Sequence, residues 1–256
     1  MDNKMQELVQ AKIKEIEAVE NVEVIMAIES GSRAWGFDSP DSDYDVRFIY
    51  TRKPADYLKL EGIRDVIEWQ LDETLDINGW DLRKALQLLY RSNATIFEWF
   101  ASPIVYYKTE KADKMREILP QYFSDKKTLY SYWHMASGNN KEFVQNGEHM
   151  IRIKKYFYVL RAILAGKWVV ENHTNPPMLF TDLVEAKLDD SLKPIINELL
   201  DKKMNVPELK MIRKNPQIDE YINTNLDQLE AYAQSMPNKR DNQWEPLNKL
   251  FLDLIM

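Results

Sequence analysis

Residues 29–47, ESGSRAWGFDSPDSDYDVR, contain the side chains best suited to chemistry. Gly31 and Ser32 follow an apolar run, residues 33–42 form a spacer, and Asp43-x-Asp45 opens a second apolar run. Residues two apart on a strand point to the same face, so Asp43 and Asp45 lie side by side. Two carboxylates so close repel each other unless a cation sits between them. Mg²⁺ or Mn²⁺ does this with oxygen ligands and gains substrate phosphate oxygens as further ligands. Gly31 lets the backbone approach a phosphate closely, and Ser32 offers it a hydroxyl or an N–H.

Two competing motifs fail on spacing. Asp41, Asp43 and Asp45 imitate the start of an EF-hand loop, but Val46 stands where that loop needs Gly and Arg52 where it needs Glu. No Gly-Lys-Ser/Thr occurs in the chain, which removes a Walker A loop. The chain has no cysteine and three histidines, at 134, 149 and 173. Thiolate nucleophiles, disulfides and Cys-based metal sites are thereby excluded, and a multi-His site is disfavoured. Oxygen-ligand metal chemistry remains.

The elements that must position these groups are legible from periodicity. A helix is expected over 4–20, strands over 22–28 and 43–51, and β-like stretches over 65–70 and 74–78. Tyr44, Val46, Phe48 and Tyr50 should share one face of the second strand, with Asp43, Asp45, Arg47 and Ile49 on the other. Gly79 marks a turn into a helix with an apolar stripe of Leu82, Ala85, Leu86 and Leu89, which Asp81 should cap. Beyond residue 108 the pattern becomes helical, over 110–119, 126–145, 148–166, 191–203, 217–235 and 244–255, with prolines between many of these segments. The expected architecture is α/β (α+β): a mixed-sheet domain over 1–108 and an all-helical domain over 109–256.

The net charge of −7 conceals an uneven distribution. Residues 1–100 carry −8, residues 101–168 carry +6, and residues 169–256 carry −5. An acidic first part could hold metal while a basic middle meets phosphate, although an uneven solvated surface gives the same arithmetic. The start is polar and acidic without a signal-peptide core, and no apolar run approaches the ~20 residues of a membrane span. A cytoplasmic protein with no membrane partner is expected.

The Gly-Ser, spacer, Asp-x-Asp arrangement resembles the signature of the nucleotidyltransferase (DNA polymerase β-like) superfamily. Within it, GSRAWGFDSPDSDYDVRFIY at 31–50 resembles a predicted nucleotidyltransferase family of bacteria and phages, also described as RNA-repair-ligase-associated. INGWDLRKALQLL at 77–89, SNATIFEWFASPIVY at 92–106 and KKYFYVLRAILAGKW at 154–168 resemble the same family. The resemblance implies a third carboxylate on a neighbouring strand. Asp76, flanked by Leu75 and Ile77, suits it better than Asp72 or Glu73, which lie in a polar run resembling a turn.

It further implies two Mg²⁺ or Mn²⁺ ions held by Asp43, Asp45 and Asp76, which would be the catalytic residues. An NTP would be the substrate, and a hydroxyl would accept its nucleoside monophosphate. Gly31, Ser32, Arg33 and Arg47 would meet the phosphates, Arg47 either contacting phosphate or balancing the carboxylates. Lys154, Tyr158 and Arg161, spaced to share a helix face, would help if that face is more than a solvated basic one. Lys155, Lys84 and Asn93 are further candidates, Asn93 also as a helix boundary. Trp35 is the tryptophan best placed to stack on a base, whereas tryptophans more often anchor cores. An RNA 3′ end or tRNA is the first acceptor expected, with a protein or small molecule as alternatives. A non-catalytic, antitoxin-like module of the same fold is the competing class.

Overall fold

Helix α1 (Asn3–Glu20) turns Val9, Ile13 and Ile16 inward, and these side chains cover one face of a five-stranded sheet. The computed structural model describes residues 3–72, 74–145, 149–237 and 243–256. Its sheet comprises β1 (Glu23–Glu29), β2 (Tyr44–Thr51), β3 (Val66–Leu71), β4 (Leu75–Asp81) and β5 (Val105–Lys108), in the order β3-β4-β2-β1-β5. β2 and β4 run parallel, and the other neighbouring pairs are antiparallel. Val46, Phe48 and Tyr50 enter the core beneath α1 together with Ile67, Leu75 and Ile77. Asp45 and Arg47 therefore fall on the opposite face, as the alternation of the sequence requires.

Gly79 sits in the middle of β4 because a Cβ there would run into the Phe48 ring. A strand glycine marking a close approach is the usual meaning of such a residue. At the end of β4 the Asp81 carboxylate accepts the Arg83 N–H at 2.7 Å and caps α4 (Leu82–Tyr90). The expected stripe of Leu82, Ala85, Leu86 and Leu89 is buried. Asn93 likewise caps α5 (Ala94–Ala101), so it is a helix boundary. Asp72 accepts the N–H groups of Thr74 and Leu75, as a turn residue does. Glu73 lies outside the described residues, as does residue 148, where a helix was expected to begin.

Two compact units emerge, and they depart from a division at 108/109. The first comprises Met1–Ala34, Asp43–Tyr122 and Asp241–Met256; the second comprises Trp35–Ser42 and Phe123–Arg240. Besides the sheet, the first contains the single turns α2 (Gly31–Ala34) and α3 (Pro54–Tyr57), then α6 (Glu110–Ile118). The chain's last helix belongs here too, for a physical reason visible in its side chains. Trp244 stacks on Tyr90 with ring centroids 3.6 Å apart, Phe251 meets Tyr57 edge-on at 5.0 Å, and Asp253 pairs with Lys114 at 2.6 Å. Aromatic pairs of this kind contribute about 0.5–1.5 kcal/mol each beyond the area they bury.

The second unit holds α7 (Asp125–Asn139), α8 (Ile153–Asn172), α9 (Phe180–Lys187), α10 (Lys193–Met204) and α11 (Pro216–Ser235). The helix returning to the first unit is α12 (Trp244–Ile255). α8 is buried nearly all round and contacts α7, α9 and α11. A two-stranded ribbon, β6 (Met150–Arg152) with β7 (Met211–Arg213), was not expected: β6 falls in a stretch that reads as helical, and β7 lies between two such stretches. Three-residue strands so far apart in sequence leave too short a window for alternation to register.

The spacer 35–42 joins this unit because Phe37 packs on Phe157 and Phe180, with centroids 5.5 and 5.6 Å away. Ser39 exchanges hydrogen bonds with the buried Lys203, and Ser42 donates to Glu208 at 2.7 Å. No helix among the described residues is long and apolar enough to cross a membrane.

Candidate active site

The site begins at the junction of β1 and β2. Ser30 donates its N–H to the Asp45 carbonyl at 2.8 Å, and Asp45 returns its own N–H to the Glu29 carboxylate at 2.8 Å. Gly31 follows in the left-handed region, with φ +60°. A Cβ at Gly31 would overlap the Asp45 carboxylate, so the glycine is what lets that carboxylate lie against the α2 turn. Ser32 is buried beside it.

The β2–β4 register places Asp45 directly opposite Asp76. Arg47 lies between their carboxylates, its guanidinium 2.8 Å from Asp45 Oδ1 and 2.7 Å from Asp76 Oδ2. The same guanidinium donates to the Val46 and Asp76 carbonyls at 3.1 and 3.0 Å. Arg47 thus pairs with both carboxylates. Both carboxylates are half-buried and share one nitrogen, Nη2, as their charge-assisted donor. Arg33 donates Nε–H to the Asp43 carbonyl at 3.0 Å and lays its guanidinium 3.8 Å over the Tyr44 ring. It holds the entry to β2.

Glu29 has no role in the motif read from the sequence. It is fully buried, yet it takes hydrogen bonds from Asp45 N–H and from the Tyr106 hydroxyl at 2.6 Å. The signal was present in plain view: a lone carboxylate closing the apolar strand just before Gly-Ser. Burial raises its pKa to about 7 despite the opposing hydrogen bonds from Tyr106 and Asp45. A carboxyl raised in the folded state loses stability as pH climbs from about 4.5 through about 7. The loss amounts to about 3 kcal/mol above that range. Glu29→Gln keeps an acceptor for Asp45 N–H and should flatten this slope, gaining stability over the parent at pH 8 but not at pH 5. Thermal melts of both proteins between pH 5 and 8 check it, and parallel curves would remove Glu29 as the source.

The donor chemistry suits a hard cation. Asp45 and Asp76 already converge on one positive group, and Mg²⁺ is commonly held by one or two carboxylates completed by substrate phosphates. A fuller cage is not assembled: among the described residues, no three His, Cys, Asp or Glu side chains gather closely enough to hold a metal. Asp43 thus does not join Asp45 and Asp76 in a three-carboxylate cluster.

The α8 residues belong to the second unit. Lys154 pairs with Glu208. Burial raises the Glu208 pKa, but Lys154, Ser42 and Lys203 together bring it below the ordinary value. Arg161 is buried, its guanidinium 4.4 Å from the Trp35 ring and 3.5 Å from Met178 Sδ. Tyr158 meets Trp35 edge-on at 5.7 Å. Trp35 is thus an anchor among side chains of its own unit. Lys155 lies 5.4 Å from the Tyr158 ring, and burial lowers its pKa. In the first unit, Lys84 pairs with Asp65 at 3.1 Å.

This site agrees with the resemblance to polymerase β-like nucleotidyltransferases, the class in which the family comparison places the chain. More particularly, residues 5–253 match the model of the RNA repair pathway DNA polymerase beta family, and the chain belongs to that family. It is 40% identical over 246 residues to the uncharacterized protein YcgL of Bacillus subtilis (strain 168), covering 95% of this chain and 94% of that one. More distant likenesses, each covering 90% of this chain, are to two crystal structures. One is a nucleotidyltransferase-like protein from Exiguobacterium sibiricum 255-15 (14% identity, 75% of that chain, TM-score 0.32). The other is spectinomycin adenyltransferase AAD(9) from Enterococcus faecialis, with ATP and spectinomycin (13% identity, 100% of that chain, TM-score 0.46).

Proposed function

We propose that this protein transfers a nucleoside monophosphate from an NTP to the 3′ hydroxyl of an RNA. The observation that carries the reading is the convergence of Asp45 and Asp76 on a single cation position beside the Gly31 turn. Membership of the RNA repair pathway family supports RNA as the acceptor.

In the reaction the acceptor oxygen bonds to the α-phosphorus, the bond from that phosphorus to the β-phosphate oxygen breaks, and pyrophosphate leaves. The acceptor hydroxyl gives up its proton to water, and the electron pair of the broken bond leaves on the pyrophosphate. Asp45 and Asp76 would hold a divalent cation, and Asp43, outside that pair, would serve at the entry to β2. When bound, such an ion neutralises phosphate charge and lowers the pKa of an attacking hydroxyl. Gly31 lets the Asp45 carboxylate lie against the α2 turn, and Ser32 follows it as a donor to phosphate. Arg47 neutralises the carboxylates until another cation takes them. Glu29 fixes the Asp45 backbone from below. Lys154 and Arg161 are left with positioning roles in the second unit, since one is paired and the other buried.

The test is incubation with each α-labelled NTP and Mg²⁺ or Mn²⁺, in separate reactions with RNA, proteins and small hydroxyl compounds. Label should enter RNA, and RNA with a blocked 3′ end should stay unlabelled. Label confined to a protein or small molecule would replace the acceptor. No transfer under any condition would defeat the enzyme reading.

A further inference from the structure

The second unit carries a concavity of about 730 Å³ between the C-terminal part of α10, the ribbon strand β7 and the start of α11. Lys202, Lys210, Arg213 and Lys214 line it, against one carboxylate, Glu198. This is a local excess of positive charge on a chain whose net charge is −7. Lys202, Lys210 and Arg213 are exposed. The ribbon adds to the pattern. Ile151 and Ile212 are its buried pair, so Met150 and Arg152 share the exposed face with Met211 and Arg213. Arg152 therefore extends the cationic surface past the rim of the concavity, beside two exposed methionines.

We infer that this concavity binds the phosphodiester backbone of single-stranded RNA. Cations spread over a helix end, a loop and a strand suit a chain of phosphates better than one compact phosphate group. The exposed methionines offer apolar contact to unstacked bases, while the lysines and arginines take the backbone. The bidentate forks of Arg152 and Arg213 favour phosphate oxygens in particular. The inference rests on RNA being the acceptor, and it assigns a holding site for that acceptor which the carboxylate site does not supply.

The test is fluorescence anisotropy of a labelled single-stranded RNA without metal or NTP, so binding is read apart from transfer. The parent chain is compared with the triple variant Lys202→Ala, Lys210→Ala, Arg213→Ala across salt concentrations. The variant should bind about 10-fold or more weakly near 0.1 M salt, and its log–log salt slope should be shallower by about 2, near 0.7 per lost phosphate contact. Circular dichroism confirms that the variant is folded, and Lys210→Glu alone should weaken binding in the same direction. Equal affinity and slope in parent and variant would overturn the inference. So would binding of inorganic phosphate or NTP that competes fully with RNA and falls equally in the variant, because the site would then serve a free phosphate. Normal RNA binding by a parent chain that transfers no nucleotide would leave this inference standing while the proposed activity falls.

Discussion

Asp45→Asn is expected to lower nucleotidyl transfer on the order of 10³-fold or more while leaving the protein folded. Asparagine keeps the shape of the side chain but removes the charge that, with Asp76, makes this point attractive to a cation. Loss of a group that stabilises transition-state charge costs at least about 10²–10³ in rate. Stability should change by only about 1 kcal/mol. Arg47 keeps its pair with Asp76 and its two carbonyl acceptors, so no guanidinium is stranded. The hydrogen bond to the Glu29 carboxylate is donated by the Asp45 backbone N–H and survives the change. The check pairs transfer from α-labelled NTP with a urea melt. A variant that transfers at the parent rate would refute the assignment, and one that unfolds would show Asp45 to be structural first.

Gly31→Ala should damage both activity and stability. The residue lies at φ +60°, where alanine costs about 1–2 kcal/mol, and the added methyl would fall on the Asp45 carboxylate. Relief requires either the α2 turn or Asp45 to move, and overpacking of this kind costs about 1–3 kcal/mol more. A displacement near 1 Å at a reacting group costs about 10²-fold in rate. The expected result is therefore a loss of about 2–5 kcal/mol in denaturant unfolding together with at least a ~10²-fold loss of transfer. Gly62→Ala is the control, because nothing lies within 4 Å of a Cβ there and neither quantity should change. An active, stable Gly31→Ala protein would mean that the close approach to Asp45 is dispensable.

Local information made much of this fold legible. Alternation in β2 settles which side chains enter the core and which face carries Asp45, since a period of two admits only that division. The α4 stripe and its Asp81 cap, the Asn93 boundary and the Asp72 turn are all written within a few residues of one another. The Gly-Ser, spacer, Asp-x-Asp segment carried the resemblance to nucleotidyltransferases that the family match over residues 5–253 bears out. Two other expectations were local in form but depended on packing. The helical spacing of Lys154, Tyr158 and Arg161 was real, yet spacing says nothing of burial, and Arg161 turned out to lie under Trp35. The division at 108/109 followed a change in pattern, whereas aromatic contacts return α12 to the first unit and carry residues 35–42 to the second.

By itself the sequence determined the chemical groups, the face that presents Asp45 and the family. Only the tertiary structure decided that Asp76 stands opposite Asp45, that Arg47 spans the two, and that Glu29 holds Asp45 from beneath. The reason lies in how strands meet. Parallel β2 and β4 are separated in sequence by β3, and their register is set by the side chains packed beneath α1. A one-residue slip would turn Asp76 into the apolar core, so the burial of Leu75 and Ile77 is what presents the carboxylate on the chemical face.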